Sequence, residues 1–228
     1  MAVIRFKNSR GELEVENVYC IGKNYLDHIK ELDSPEIKSE VPSEPVIFLK
    51  PNTSVVQGAK EIKIPEFKGK KISNDLQNEV ELVIIIGKDG DNIPVQNAHD
   101  FVAGYAVGID FTLRDVQNEF KKKGLPWTLS KGFKLSAPLS VAVKTNEPGF
   151  ADDLQIKLSV NGICKQDSST SLMIFKVDYI IHYISTIFGL REGDLIFTGT
   201  PKGVTHLNPG DLVEAKIENI GDLKIRIE

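Results

Sequence analysis

Apolar and polar positions alternate along most of this chain in short runs, each closed by Gly, Pro, Asn or Asp, which is the period of half-buried strands. AVIRF, ELEVE, VYCIG, PVIFLK, EIKIP, EVELVIII, GYAVGIDFT, LQIKLSV, DLIFTG, DLVEAKI and DLKIRIE read as strands. Asn161-Gly162 in SVNGICKQ predicts a tight hairpin, and the turn at Asn8 to Gly11 predicts another across residues 1–18. Helical spacing is rarer. It predicts helices over 24–32, over 113–124 with Gly124 as the capping residue, and over 177–189 closed by Gly189. The triplet Gly-Asp-Leu recurs at 193, 210 and 221, but at unequal spacings, so it marks turns into strands and no repeat. The expected class is a strand-dominated mixed α/β fold, with 1–228 as a single domain. The stretch 33–45, DSPEIKSEVPSEP, reads as a polar surface loop able to move the helix before it.

Composition adds limits. With 228 residues, 41% apolar and 26% charged, the chain can bury a substantial core. Two distant cysteines, Cys20 and Cys164, support neither a disulfide framework nor a thiolate zinc site, which suits a reducing compartment. A net charge of −4 with one short basic cluster, Lys121 to Lys123, argues against nucleic acid or an anionic membrane as partner, and the cluster reads as a solvated helix end. No run reaches the ~18 apolar residues of a membrane span and the N-terminus lacks a secretory apolar region, so a cytoplasmic location is expected.

The pattern breaks at NEVELVIII. Glu79 and Glu81, two apart in a strand, share a face with Val83 and Ile85, so paired negative charge enters an apolar face. Either the strand mouth protrudes toward cross-strand lysines, or a cation sits between the carboxylates. Asp110, an acid inside the apolar run YAVGIDFT, favours the cation. Three carboxylates without a neighbouring Cys or His ligand specify a hard ion, Mg2+ or Mn2+, whose remaining positions would take a chelating substrate. Of the four histidines, His182 reads as packed in a core helix, and His99 and His206 fall in turn-like sequence. His28 precedes Glu31 by three residues, which stacks them on one helix face as a general base with its orienting carboxylate or as a surface ion pair.

The chain resembles the fumarylacetoacetate hydrolase superfamily, and within it the short acylpyruvase/oxaloacetate decarboxylase branch. The likeness runs from YCIGKNYLDHIKEL through PVIFLKPNTSVV, NEVELVIIIGK, GYAVGIDFTLRDVQNEFKKKGLPWTLSKGF and SSTSLMIF to EGDLIFTGTPKGV. It implies a β-roll with flanking helices, usually a homodimer, with Mg2+ or Mn2+ on Glu79, Glu81 and Asp110. It also implies a lid helix carrying His28 and Glu31, and contacts to a bound keto acid from Arg114, Gln117, Lys131 and Thr200. Relatives often carry histidine just before the Glu pair, where this chain has Gln77-Asn78, and neither residue can replace an imidazole as a proton carrier. The expected activity is hydrolysis of a C–C bond in a small 3-acylpyruvate, with decarboxylation of oxaloacetate at the same site. In that scheme His28, oriented by Glu31, activates water while Lys131 holds developing charge. Two alternatives stand beside it: a tautomerase or isomerase of 2-oxo or 2-hydroxy-dienoate dicarboxylates, and a catalytically lapsed metal-bound binding protein.

Overall fold

The computed structural model describes residues 2–32 and 40–228. The chain begins with a short hairpin. Strand β1 (Val3–Arg5) pairs antiparallel with β2 (Glu12–Glu14), and Asn8 takes a positive φ in the connection. There follow β3 (Val18–Gly22), α1 (Leu26–Glu31), β4 (Val46–Lys50), β5 (Val55–Gln57), β6 (Glu61–Ile62) and a small hairpin, β7 (Glu66–Phe67) with β8 (Lys70–Lys71). The middle of the chain holds β9 (Leu76–Gln77), β10 (Val80–Ile86), β11 (Val102–Ile109), β12 (Thr112–Leu113), α2 (Arg114–Lys123), α3 (Thr128–Lys131) and β13 (Ala137–Leu139). The last third holds β14 (Gln155–Val160), β15 (Ile163–Ser169), α4 (Val177–Ile187), β16 (Leu195–Phe197), β17 (Leu212–Ile217) and β18 (Gly221–Ile227).

Two larger sheets organise these strands. One has seven strands in the order β4-β3-β16-β10-β11-β13-β5, the other five in the order β15-β14-β17-β18-β6. Strand β10 is buried along its whole length. Its Val80, Leu82, Ile84 and Ile86 enter the larger core, together with β14, β17, β18 and the apolar stripe Val177, Ile180, Ile181 and Ile184 of α4. The other face sends Val83 and Ile85 into a second cluster with Ile4, Val18, Leu139, Leu195 and Phe197. Each such side chain is worth ~1.5–3 kcal/mol of burial. The packing there is close enough that a Cβ on Gly108 would come within 2.5 Å of Val83 Cγ2.

Three sequence expectations are revised. EIKIP supplies a two-residue strand only. GYAVGIDFT breaks at Asp110, because the Asp110 N–H bonds Glu79 O at 2.8 Å whereas the next N–H, of Phe111, turns to Ser136 O at 2.9 Å. The short α3 and β13 carry too few residues to show a period and were not anticipated. The break matters, since it ends the ladder at the residue that carries the acid. In the antiparallel register Val80 faces Ile109 and Glu81 faces Gly108, so Glu79, Glu81 and Asp110 arrive at one end of the same strand pair.

Candidate active site

Glu79, Glu81 and Asp110 are all buried, and one carboxylate oxygen from each lies within 4.8 Å of the others. Three cations answer this charge. Lys131 on α3 donates to Glu79 Oε2 at 2.6 Å and to Asp110 Oδ2 at 2.7 Å. Arg114, first residue of α2, pairs with Glu79 Oε1. Lys50, at the end of β4, lies 2.7 Å from Asp110 Oδ1, though without hydrogen-bond alignment, so this buried oxygen keeps lone-pair capacity. Burial pushes the Glu79 carboxyl upward, but Lys131 and Arg114 outweigh it and hold it well below the usual carboxylate range. Glu81 differs. Among the described residues it pairs with no cation and accepts the Gly199 N–H at 2.8 Å, and burial, then Asp110 and Glu79, push its carboxyl well above the usual range.

Lys50 escaped the sequence reading. Its Nζ donates to Lys131 O and, at 2.9 Å, to Ser136 Oγ, which itself donates to Lys131 O at 2.8 Å. One buried ammonium therefore braces Asp110 and the backbone of Lys131 together.

Helix α1 closes over this cluster. His28 is buried with Nδ1 3.1 Å from Glu31 Oε2, and Glu31 Oε1 accepts the Gly203 N–H at 2.9 Å. Burial raises the Glu31 carboxyl, but the His28 ring and the Gly203 N–H prevail and hold it below its ordinary value. A proton on Nδ1 facing Glu31 leaves Nε2 as the acceptor nitrogen. Asp27 on the same helix reaches Lys202 at 3.0 Å, so α1 is tied to the segment 199–203 at two points. Of the loop expected at 33–45, residues 33–39 lie outside the described residues.

Arg114, Gln117 and Thr200 line the same cavity as the acids. Arg114 is fixed on three sides: Nε donates to Gln77 Oε1 at 2.8 Å, Nη1 to Gln117 Oε1 at 2.5 Å and Nη2 to Glu79. Gln117, which lines the cavity, thus spends its oxygen on Arg114. Thr200 lines the cavity, but its hydroxyl donates to Val80 O at 2.8 Å and accepts from Gln166 Nε2 at 2.8 Å. Gln77 holds Arg114 and donates to Asp75, which meets His206 Nδ1 at 2.9 Å, so His206 ends a polar chain that starts at the site. Asn78 is pinned to Gln166 Oε1 at 3.0 Å.

Lys121 departs from the solvated helix end read from the sequence. It lines the same cavity as the three acids, His28, Arg114, Gln117, Lys131 and Thr200, together with Lys23, Phe48 and Trp127.

A family model, fumarylacetoacetate hydrolase C-terminal, matches residues 17–228. The chain belongs to that family. It is similar to a rat protein named "Oxaloacetate tautomerase FAHD1, mitochondrial", at 44% identity over 93% of this chain and 92% of that one. It is also similar to "Oxaloacetate decarboxylase, mitochondrial" of Dictyostelium discoideum, at 41% over 89% of each chain. Among solved structures, fumarylpyruvate hydrolase from Pseudomonas aeruginosa, in complex with Mn2+ and pyruvate, aligns with a TM-score of 0.90 at 34% identity, over 99% of this chain and 95% of that one. The chain is therefore a family enzyme of the strand-dominated α/β fold expected from its sequence.

The acidic cluster suits a divalent ion on its own chemistry. All three donors are carboxylates, Glu81 has no cation partner among the described residues, and Asp110 Oδ1 has a lone pair unspent. Among the described residues, no helix is long and apolar enough to cross a membrane.

Proposed function

We propose that this protein is a divalent-metal-dependent enzyme of small 2-oxo acids that works through their enolates, with oxaloacetate as the leading substrate. The observation that carries the reading is a single cavity holding the Glu79–Glu81–Asp110 cluster, the Lys131 ammonium and the His28–Glu31 pair. The oxaloacetate names of the relatives at 41–44% identity move tautomerisation and decarboxylation ahead of the acylpyruvate hydrolysis expected from sequence.

In this reading Glu79, Glu81 and Asp110 hold Mg2+ or Mn2+, which supplies Lewis-acid polarisation of the 1-carboxylate and 2-oxo group. The chain's own residues do the rest. In this reading Lys131, held by Glu79 and Asp110, would donate to the negative charge that grows on the 2-oxo oxygen. Arg114 orients Gln117 through its side-chain oxygen, which leaves the Gln117 amide N–H groups to donate to a substrate carboxylate in this reading. His28 Nε2, with Glu31 on the opposite nitrogen, takes the proton from C3 and returns it to the oxygen in tautomerisation. Decarboxylation needs the same electron sink and no base.

A second reading, hydrolysis of 3-acylpyruvates, is favoured by the His28–Glu31 geometry and by the hydrolase neighbour, with His28 then deprotonating water. We also read the protein as a homodimer. Strand β4 is an open sheet edge with Leu49 exposed, beside exposed Leu125 and Phe188.

The test is incubation of purified protein with oxaloacetate, acetylpyruvate and fumarylpyruvate, with Mg2+ or with a chelator, followed by NMR of products and of deuterium exchange at C3. Metal-dependent exchange and loss of oxaloacetate are expected. No metal-dependent change in any of the three would refute the proposal.

A further inference from the structure

Helix α2 carries a third polar residue on the face it turns to the cavity. Arg114, Gln117 and Lys121 stand at i, i+3 and i+7, one stripe along the helix, with Lys121 ~10 Å of axis rise beyond Arg114. The first two are tied into the carboxylate cluster. Lys121 is not: among the described residues no carboxylate pairs with it, and its neighbour is the Trp127 ring, whose centroid lies 5.3 Å from Nζ. Two positions further on, Lys123 pairs with Glu119 at 2.5 Å in open solvent, as a helix-surface lysine ordinarily does. At the same cavity Lys23 presents a second ammonium with no carboxylate partner among the described residues, on a backbone held at φ 59.

A cavity with a chelating end and two ammoniums that lack a carboxylate partner among the described residues suits a ligand with two anionic ends. We propose that Lys121, seconded by Lys23, binds the far carboxylate of a dicarboxylic 2-oxo acid and makes the enzyme select dicarboxylic over monocarboxylic substrates of equal length. This rests on the reading above for the chelated end.

Electrostatics agree. Burial first, then repulsion by Arg114, Lys131 and Lys23, bring the Lys121 ammonium down to about 8, against the attraction of Glu79; His28, Glu81 and Asp110 are the other titratable groups lining that cavity. An ammonium held this reluctantly gains from an arriving anion.

The experiment titrates the Mg2+-loaded protein calorimetrically with three ligands that it cannot cleave: oxalate, 2-oxohexanoate and 2-oxoadipate. The last two match in length and differ in the far carboxylate. At pH 7, 2-oxoadipate should bind about tenfold more tightly than 2-oxohexanoate, the scale of one charged hydrogen bond. Lys121→Met should erase that margin and leave oxalate and 2-oxohexanoate unchanged, which also reports that the variant is folded. Lys23→Met should erase part of it. Between pH 7 and 9 the margin should fall about fivefold, as Lys121 loses its proton through about 8 in the free protein and holds it to higher pH with the anion bound, and should stay flat in Lys121→Met. Equal affinity for the two longer acids with oxalate binding intact would overturn the proposal alone. Equal losses of all three ligands in Lys121→Met would do the same, by making the residue structural. Absence of oxalate binding to the unaltered protein would overturn the chelating reading as well.

Discussion

The two sheets treat charge in opposite ways. In the five-stranded sheet, β17 and β18 bury Val213, Ala215, Ile217, Leu223, Ile225 and Ile227 on one face and put Lys216, Asp222, Lys224 and Arg226 outside. Its ion pairs, Lys224–Glu214 at 2.6 Å and Lys157–Asp167 at 3.2 Å, sit in water. In the seven-stranded sheet, β10 exposes nothing, and the charges at its mouth are buried with it. Lys131–Glu79 is also 2.6 Å long, yet both partners are almost wholly removed from solvent. Equal distances therefore mean different things. Desolvating six charged side chains costs several kcal/mol per ion before any pairing is counted, and apolar residues would fill the space with less penalty. A fold carries such a cluster where the charges have chemistry to do.

The sharpest break in this contrast comes from Asp110→Asn. The substitution keeps one acceptor oxygen for the lysines but removes an anionic donor from the cluster, so Mg2+ or Mn2+ affinity measured by calorimetry should collapse and turnover should fall by roughly 10³-fold or more. Unchanged metal binding would transfer the ligand role elsewhere. Glu214→Gln in the other sheet, an acid removed from an equally short ion pair, should leave both quantities as they are.

Next in size is the separation of proton transfer from charge stabilisation. His28→Ala should lower tautomerisation and acylpyruvate hydrolysis by roughly 10²-fold, the scale of a positioned base, and lower decarboxylation less, whereas Lys131→Ala should damage all three. Rates must be compared at saturating substrate, because α1 closes the cavity and its disturbance also weakens binding. Parallel losses of every activity in His28→Ala would reduce the residue to a closing contact.

Most of the five-stranded sheet was legible because alternation is a local signal, and the Asn-Gly hairpin at 161–162 formed as read, with both residues at positive φ. The acids were legible for the opposite reason: Glu79, Glu81 and Asp110 violate an apolar run, and a violation of the local rule can be seen without knowing the fold. Lys50 could not be found in this way. It ends VIFLK, where a strand lysine ordinarily points to water, and its partners Lys131 and Ser136 lie 81 and 86 residues along the chain. Lys121 was hidden similarly inside a run of three lysines, of which it alone lines the cavity. In the metal-free protein, Lys50→Met should cost about 3 kcal/mol in urea denaturation, since it takes a cation from a buried carboxylate. A cost near zero would mean that Lys131 alone suffices for Asp110.

The smallest effects belong to the sheet without chemistry, and they test whether the two regions are energetically separate. Ile156 of β14 is fully buried in the larger core, so Ile156→Val should cost ~0.5–1.5 kcal/mol through one lost methyl group and leave metal affinity and turnover unchanged. Lys224→Ala should do less still. Its ammonium is 2.6 Å from Glu214, but the lysine side chain is 62% exposed, so solvent and salt screen the pair and immobilising two side chains offsets what attraction remains. The expected result is a denaturation midpoint unmoved beyond error at physiological salt. A clear shift that vanished at high salt would show that the surface pair counts for more than its exposure allows, and the contrast with Lys131–Glu79 at the same distance would then be one of degree.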